Sequence, residues 1–228
     1  MNILIFTLFT HSSMERWVGR VALVTGASVG IGASICEVLV QSGLKTLSET
    51  LKDAKGSLLP VKCDLTKEED IRNLFDKIKK EFGGVDICIN NAGLSNGKKL
   101  LDSTVEEMKE LTNVNIIALC LCSQLAIASM RERGVDDGHV INVSSIGGHR
   151  VSPKSSSRFY ASTKFASWQV NTQFAYRAFK DPERAKNLYS SIEPLRPEDV
   201  AASVLHVISA PPHVEINDII IRPTEQQQ

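Results

Sequence analysis

The sequence predicts an α/β domain, a Rossmann-like doubly wound parallel sheet, and three observations carry that prediction. Continuous apolar runs recur along the chain, in RVALVTG, SLLPVKCDL, VDICINNAG and HVINVSS. Helix-period stretches separate them, and a glycine-rich turn follows the first run directly. Strands covered on both faces read as unbroken apolar segments, and parallel neighbours need crossovers that are usually helices.

The chain opens with MNILIFTLFTHSS, whose apolar segment from Ile3 to Phe9 precedes a second methionine in MERW. It lacks a basic flank and a small-residue cleavage site, so residues 1–13 read as an N-terminal extension; a cytoplasmic location is expected, with secretion the minor alternative. Residues 14–228 read as one domain, long enough to bury a substantial core.

Within it, RVALVTG is the first strand and Ile31 to Gln41 the first helix. SLLPVKCDL is a strand, Glu68 to Phe82 a charged helix and VDICINNAG the next strand. Thr104 to Arg133 is helical but interrupted near Asn113 to Asn115, and HVINVSS follows as a strand. After the polar loop GGHRVSPKSSSR a helix begins near Tyr160. RPEDVAASVLHVIS is a helix opened by Arg196-Pro197, with Ala201, Leu205 and Ile208 on one face, and NDIIIRP is the last strand. No apolar run beyond the first segment reads as long enough to span a bilayer.

Lys plus Arg equals Asp plus Glu at 26 each, so no net field favours nucleic acid or an anionic membrane. A basic stripe and an aromatic platform for nucleic acid are both missing. Cys36, Cys63, Cys88, Cys120 and Cys122 lie in apolar runs without CxxC or metal-ligand spacing. They are expected to be reduced core thiols of an intracellular protein, with no metal site.

Gly26, Gly30 and Gly32 stand between a buried strand and a helix start. Glycine allows positive φ and close backbone approach, and a helix N-terminus offers free N–H groups to a diphosphate. Thr25 or Ser28 can cap the turn or contact phosphate. A plain strand-to-helix turn is the alternative.

The spacing Thr25-Gly-x-x-x-Gly-Ile-Gly32 resembles the nucleotide turn of the short-chain dehydrogenase/reductase family. CDL at Cys63 to Leu65, NNAG at Asn90 to Gly93, and Tyr160-x-x-x-Lys164 preceded by Ser145 follow in the family's order. The resemblance covers most of the chain from Met14 onward. It implies an NADP(H)-dependent oxidoreductase interconverting secondary alcohols and ketones, steroids or other lipophilic carbonyls among them, with NAD(H) the other candidate cofactor.

Tyr160 and Lys164 are four residues apart and share a helix face, so a lysine ammonium near the phenol is expected to lower its pKa. Ser145 ends a strand at the carboxyl edge of the sheet, where open α/β folds bind ligands. By resemblance, Ser145 orients the carbonyl, Tyr160 protonates it, Lys164 also holds the nicotinamide ribose, and Asn115 maintains a water relay towards Lys164. The same likeness assigns cofactor contacts to Gly26, Ser28, Gly30, Ile31, Gly32, Asn90, Asn91, Ala92, Gly93, Tyr160, Lys164 and Thr172. It places Asp64 on the adenine amino group; Asp64 also reads as a helix N-cap before Glu68. His139, opening a strand, and His149, in a substrate-side loop, read as non-catalytic.

The pattern breaks twice. After QSGLK, a second apolar strand is expected, but TLSETLKDAKG is polar; Glu49 and Asp53 there read as a solvated helix face. After Lys164, FASW passes almost directly to NTQFAYRAFKDPERA, without the family's long helix, strand and Pro-Gly turn. The family's second and sixth strands are therefore expected to be missing and its homo-oligomer face compromised. A catalytically impaired form that binds a partner is the alternative function.

Overall fold

The computed structural model of the chain describes residues 12–46, 56–149, 158–165, 194–211, 213–214, 216 and 219–223. A short helix, α1 (Ser12–Glu15), leads into β1 (Ala22–Val24) and α2 (Ile31–Gln41). Two short strands follow, β2 (Lys45–Thr46) and β3 (Ser57–Leu58), then α3 (Glu68–Phe82) and β4 (Ile87–Asn90). The long helical run comprises α4 (Val105–Thr112), a π-turn over Asn113–Ala118, and α5 (Leu119–Glu132). Beyond it lie β5 (His139–Asn142), α6 (Arg158–Phe165) and α7 (Pro197–Ser209).

β1, β4 and β5 form one parallel sheet with β4 in the middle; Leu23 pairs with Cys88 and Cys88 with Val140. The strands send alternate side chains to two faces, as the two-residue period of a strand requires. Ala22, Val24, Ile87 and Ile89 pack against Ile35 and Leu39 of α2 and Val204 and Ile208 of α7. Leu23 and Cys88 face the other way, onto Ile71, Phe75 and Ile78 of α3 and Cys122 of α5. Both faces are therefore covered, which explains why each strand reads as an uninterrupted apolar run.

Helix boundaries follow local chemistry. Thr104 and Glu107 form a reciprocal capping box at the start of α4, and Gly83 closes α3 in the left-handed conformation at φ 85°. The expected interruption near Asn113 to Asn115 is the π-turn itself, which displaces the helix where Asn115 points inward.

Several expectations need correction. β2 pairs in parallel with β3, Lys45 opposite Ser57, so strand pairing is present where a missing second strand is expected; residues 47–55 lie outside the described ones. Of SLLPVKCDL, Ser57–Leu58 alone is strand. NDIIIRP forms no strand over its described residues Ile219 to Pro223, although Ile221 packs on the core. Cys120 is exposed, not a core thiol, because it lies on the outer face of α5. The run from Val105 to Glu132 is long and apolar enough, by length and composition, to cross a membrane; its apolar face with Ala118, Cys122, Ala126 and Met130 packs in the core. Glu49, Asp53, Thr172 and the expected sixth-strand region lie outside the described residues, as does nearly all of the N-terminal extension.

At the amino edge of the sheet, Trp17 is fully buried, and its Nε1 donates to the Ile208 carbonyl at 2.7 Å. Arg16 Nη2 donates to the Ala210 carbonyl at 2.8 Å, so the segment before β1 ties down the C-terminal end of α7. His139 meets the Trp17 ring edge-on at this end, away from the carboxyl edge where Ser145 lies.

Candidate active site

The carboxyl edge of the sheet gathers the motif residues. β1 runs out at Thr25, β4 at Asn90 and β5 just before Val143 to Ser145. Thr25 Oγ1 accepts from the N–H groups of Asn91 at 3.1 Å and Ala92 at 3.0 Å. The Asn91 side chain returns the tie, donating from Nδ2 to the carbonyls of Thr25 at 2.9 Å and Gly26 at 3.2 Å. Thr25 thus braces the exit of β4, a task that a cap or phosphate ligand reading of the sequence misses. Its signal in sequence is slight: a threonine between a strand and a glycine.

The glycine turn needs its glycines. Gly26 sits at φ 65°, and a Cβ there would lie 2.9 Å from the Ala92 Cα. A Cβ on Gly32 would overlap the Gly26 carbonyl oxygen and stand 2.6 Å from Asn91 Nδ2. The first turn of α2 starts after Gly30 with no side chain capping it, which leaves the N–H groups at Ile31 and Gly32 for an anion. Bare backbone, an uncapped helix start and close strand exits fit the diphosphate of a dinucleotide. Ser28 is exposed beside this turn. A small cleft lies next to it, lined by Thr25, Leu65, Asn90, Ala92, Val114 and Ala118 among others.

Asp64 is exposed and is not the N-cap of α3, a place held by Lys67. Its carboxylate accepts from Thr66 Oγ1 at 2.7 Å and Thr66 N at 3.0 Å, and these bonds hold its pKa below the ordinary range.

Ser145, Tyr160 and Lys164 come together. Ser145 caps the short 3-10 turn Ile146–Gly148 by accepting from Gly147 N at 3.2 Å, and its side chain lies close enough to the Tyr160 hydroxyl to bear on that group's pKa. Lys164 is 4 % exposed; its Nζ donates to the Val143 carbonyl at 3.2 Å, and its own carbonyl accepts from Ser144 Oγ at 3.0 Å. A Cβ on Gly93 would stand 3.3 Å from Lys164 Nζ and 3.7 Å from Asn115 Oδ1, so both groups converge on that glycine.

The expected lowering of the Tyr160 pKa is corrected. Burial pushes the phenol up to about 12, and the Ser145 side chain opposes that only in part. Burial also brings the Lys164 ammonium down to about 8, which weakens the charge that was expected to stabilise a phenolate. In this state the phenol is a neutral donor.

Asn115 is fully buried in the π-turn. Its Nδ2 donates to the Leu94 carbonyl and to Thr163 Oγ1, both at 2.9 Å, and its Oδ1 accepts from Leu94 N at 2.8 Å. All three bonds go to protein atoms, so Asn115 fastens the β4 exit to α6.

A diphosphate-ready turn and a Ser-Tyr-Lys cluster at the carboxyl edge of a parallel sheet define a dinucleotide-dependent oxidoreductase of the α/β type. The short chain dehydrogenase family profile matches residues 20–178, and the chain belongs to this family. It is 44 % identical to dehydrogenase/reductase SDR family member 11 of Bos taurus over 253 aligned positions, covering 93 % of this chain and 99 % of the relative. It is 35 % identical to a farnesol dehydrogenase of Aedes aegypti, over 94 % of this chain and all of that one. Among solved structures, the closed form of serine dehydrogenase complexed with NADP+ superposes with a TM-score of 0.78 at 26 % identity, covering 91 % of this chain and 96 % of the other. The chain is thus an oxidoreductase of the short-chain family with its Rossmann-like α/β fold.

Proposed function

We propose that this protein interconverts secondary alcohols and lipophilic ketones, steroids among the candidates, using NADP(H). One observation carries the reading: the Ser145 side chain bears directly on the buried Tyr160 hydroxyl, with the Lys164 ammonium beside Gly93 on the same sheet edge. A relative named for farnesol, a lipophilic alcohol, and a similar structure holding NADP+ support the substrate class and the cofactor.

The residues divide the work as follows. The backbone at Gly26, Gly30, Ile31 and Gly32 holds the diphosphate, Ser28 flanks it, and Asn91, Ala92 and Gly93 form the opposite wall. Asp64 reaches the adenine, and the family resemblance assigns Thr172 a further cofactor contact. The bound nicotinamide supplies or takes up the hydride. Ser145 donates to the carbonyl oxygen as negative charge grows there, and Tyr160 delivers the proton to the same oxygen. Lys164 keeps positive charge near Tyr160 and holds the ribose, with Asn115 fixing the floor beneath it. A small lipophilic molecule is the partner, in the cytoplasm.

A second reading has one specific observation behind it. The alignment with the bovine relative runs over 253 positions, whereas this chain has 228 residues, so that relative carries segments without counterpart here. We infer that these include most of the second strand, after Lys45, and the sixth strand, after Trp168. A form so shortened binds a partner without efficient turnover. Purified chain incubated with NADPH and a panel of lipophilic ketones separates the two. NADPH consumption that Tyr160→Phe abolishes supports the oxidoreductase; a folded chain with neither cofactor binding nor turnover supports the second.

A further inference from the structure

Thr163 lies between Tyr160 and Lys164 and is 2 % exposed, so its hydroxyl must find its partners within the protein. It has one proton, given to the Tyr160 carbonyl at 2.7 Å. That leaves its lone pairs to accept from Asn115 Nδ2 at 2.9 Å. The direction of the hydroxyl is therefore fixed from both sides. Asn115 is fixed as well, since a flipped amide would set its nitrogen against Leu94 N–H and its oxygen against the Leu94 carbonyl.

The consequence concerns how α6 is held. On one side Val143 and Ser144 bind it through Lys164 Nζ and the Lys164 carbonyl. On the other side the Thr163–Asn115 bond ties it to the π-turn and, through Asn115, to Leu94 just beyond Gly93. A helix fastened along one edge is free to roll about it, and roll is the motion that would swing Tyr160 and Lys164 together.

We propose that Thr163 is a positioning residue, setting the rotation of α6 and with it the placement of Tyr160 against Ser145 and of Lys164 over Gly93. The proposal rests on the oxidoreductase reading for its kinetic effect but not for its structural one. Thr163→Val keeps the branched shape and removes both hydrogen bonds; Thr163→Ser keeps the hydroxyl.

Two readouts test it, with circular dichroism confirming the fold. In ketone reduction, Thr163→Val is expected to lower kcat about tenfold or more with KM little changed, as a small misplacement of reacting groups does. Thr163→Ser is expected to stay within about twofold of the parent. In the cofactor-free chain, the Lys164 side chain, labelled with 13C at Cε and assigned with Lys164→Met, is titrated by NMR. Its midpoint is expected to move towards the ordinary lysine range in Thr163→Val and to stay in place in Thr163→Ser. A Thr163→Val protein matching the parent in both readouts would overturn the proposal, as would Ser and Val variants shifted alike. If the parent shows no turnover, the oxidoreductase reading fails while the titration still decides the role of Thr163. If Thr163→Val does not fold, Thr163→Ala gives the same comparison.

Discussion

Lys164 Nζ donates to the carbonyl oxygen of Val143 at 3.2 Å, an uncharged partner for a buried ammonium. Desolvation therefore dominates and brings its pKa down to about 8 from the ordinary 10.5. Above pH 8 the folded chain has released this proton while the unfolded chain keeps it up to about 10.5, so this group makes stability rise with pH across that window. The gain is lost again as pH falls through 8. Urea unfolding of parent and Lys164→Met at several pH values isolates the effect. The difference between them should change between pH 8 and 10.5 by at most on the order of 3 kcal/mol, and a difference independent of pH would show that Lys164 is solvated.

Gly32 tests the cradle. Alanine in a helix gains about 1 kcal/mol over glycine, but a methyl here would overlap the Gly26 carbonyl oxygen and crowd Asn91 Nδ2. Backbone cannot give way cheaply, so the overlap wins. Gly32→Ala should lose about 1 to 3 kcal/mol in denaturant unfolding and weaken NADPH binding about tenfold or more. Gly134→Ala is the control: its Cβ would meet nothing within 4 Å, and it should cost no more than about 1 to 2 kcal/mol of left-handed strain with NADPH binding unchanged.

Trp17 tests the clamp at the opposite edge. Its ring is fully buried with the Arg16 and Arg20 guanidiniums packed on it, each 4.9 Å from its centroid, and Nε1 holds the Ile208 carbonyl. Trp17→Phe should lose about 1 kcal/mol with the hydrogen bond, and Trp17→Ala about 3 to 5 kcal/mol with the packing. Thermal unfolding measures both. Equal losses would mean that packing contributes nothing there.

Much of this was legible in the sequence where one local rule dominates. The bounds of α2 and α3 follow from apolar period and flanking glycine, and the four ordered motifs foretell which side chains share the sheet edge. Legibility fails where an outcome depends on partners remote in sequence. Thr25 is taken up by Asn91 and Ala92, more than sixty residues away, and Thr163 by Asn115. The Tyr160 pKa illustrates the same limit. A four-residue spacing to lysine suggests lowering, but burial of both groups by distant segments decides the sign. In a separate two-stranded ladder, Lys45–Thr46 finds Ser57–Leu58 because backbone pairing needs no apolar side chains, whereas Ile219 to Pro223, apolar enough for a strand, forms none among the described residues.

The central claim is hydride transfer at the Ser145–Tyr160–Lys164 cluster, and isotopic transfer measures it most directly. Purified chain is incubated with a lipophilic ketone and NADPH carrying deuterium at the reactive nicotinamide carbon on either face, and the alcohol product is examined by mass spectrometry. The account predicts a deuterium on the carbinol carbon from one of the two labelled cofactors. It also predicts a product yield at least about a hundredfold lower with Tyr160→Phe, the loss expected of a positioned proton donor. Deuterated alcohol formed equally well by the Tyr160→Phe variant, or none formed by a parent chain that binds NADPH, would contradict it.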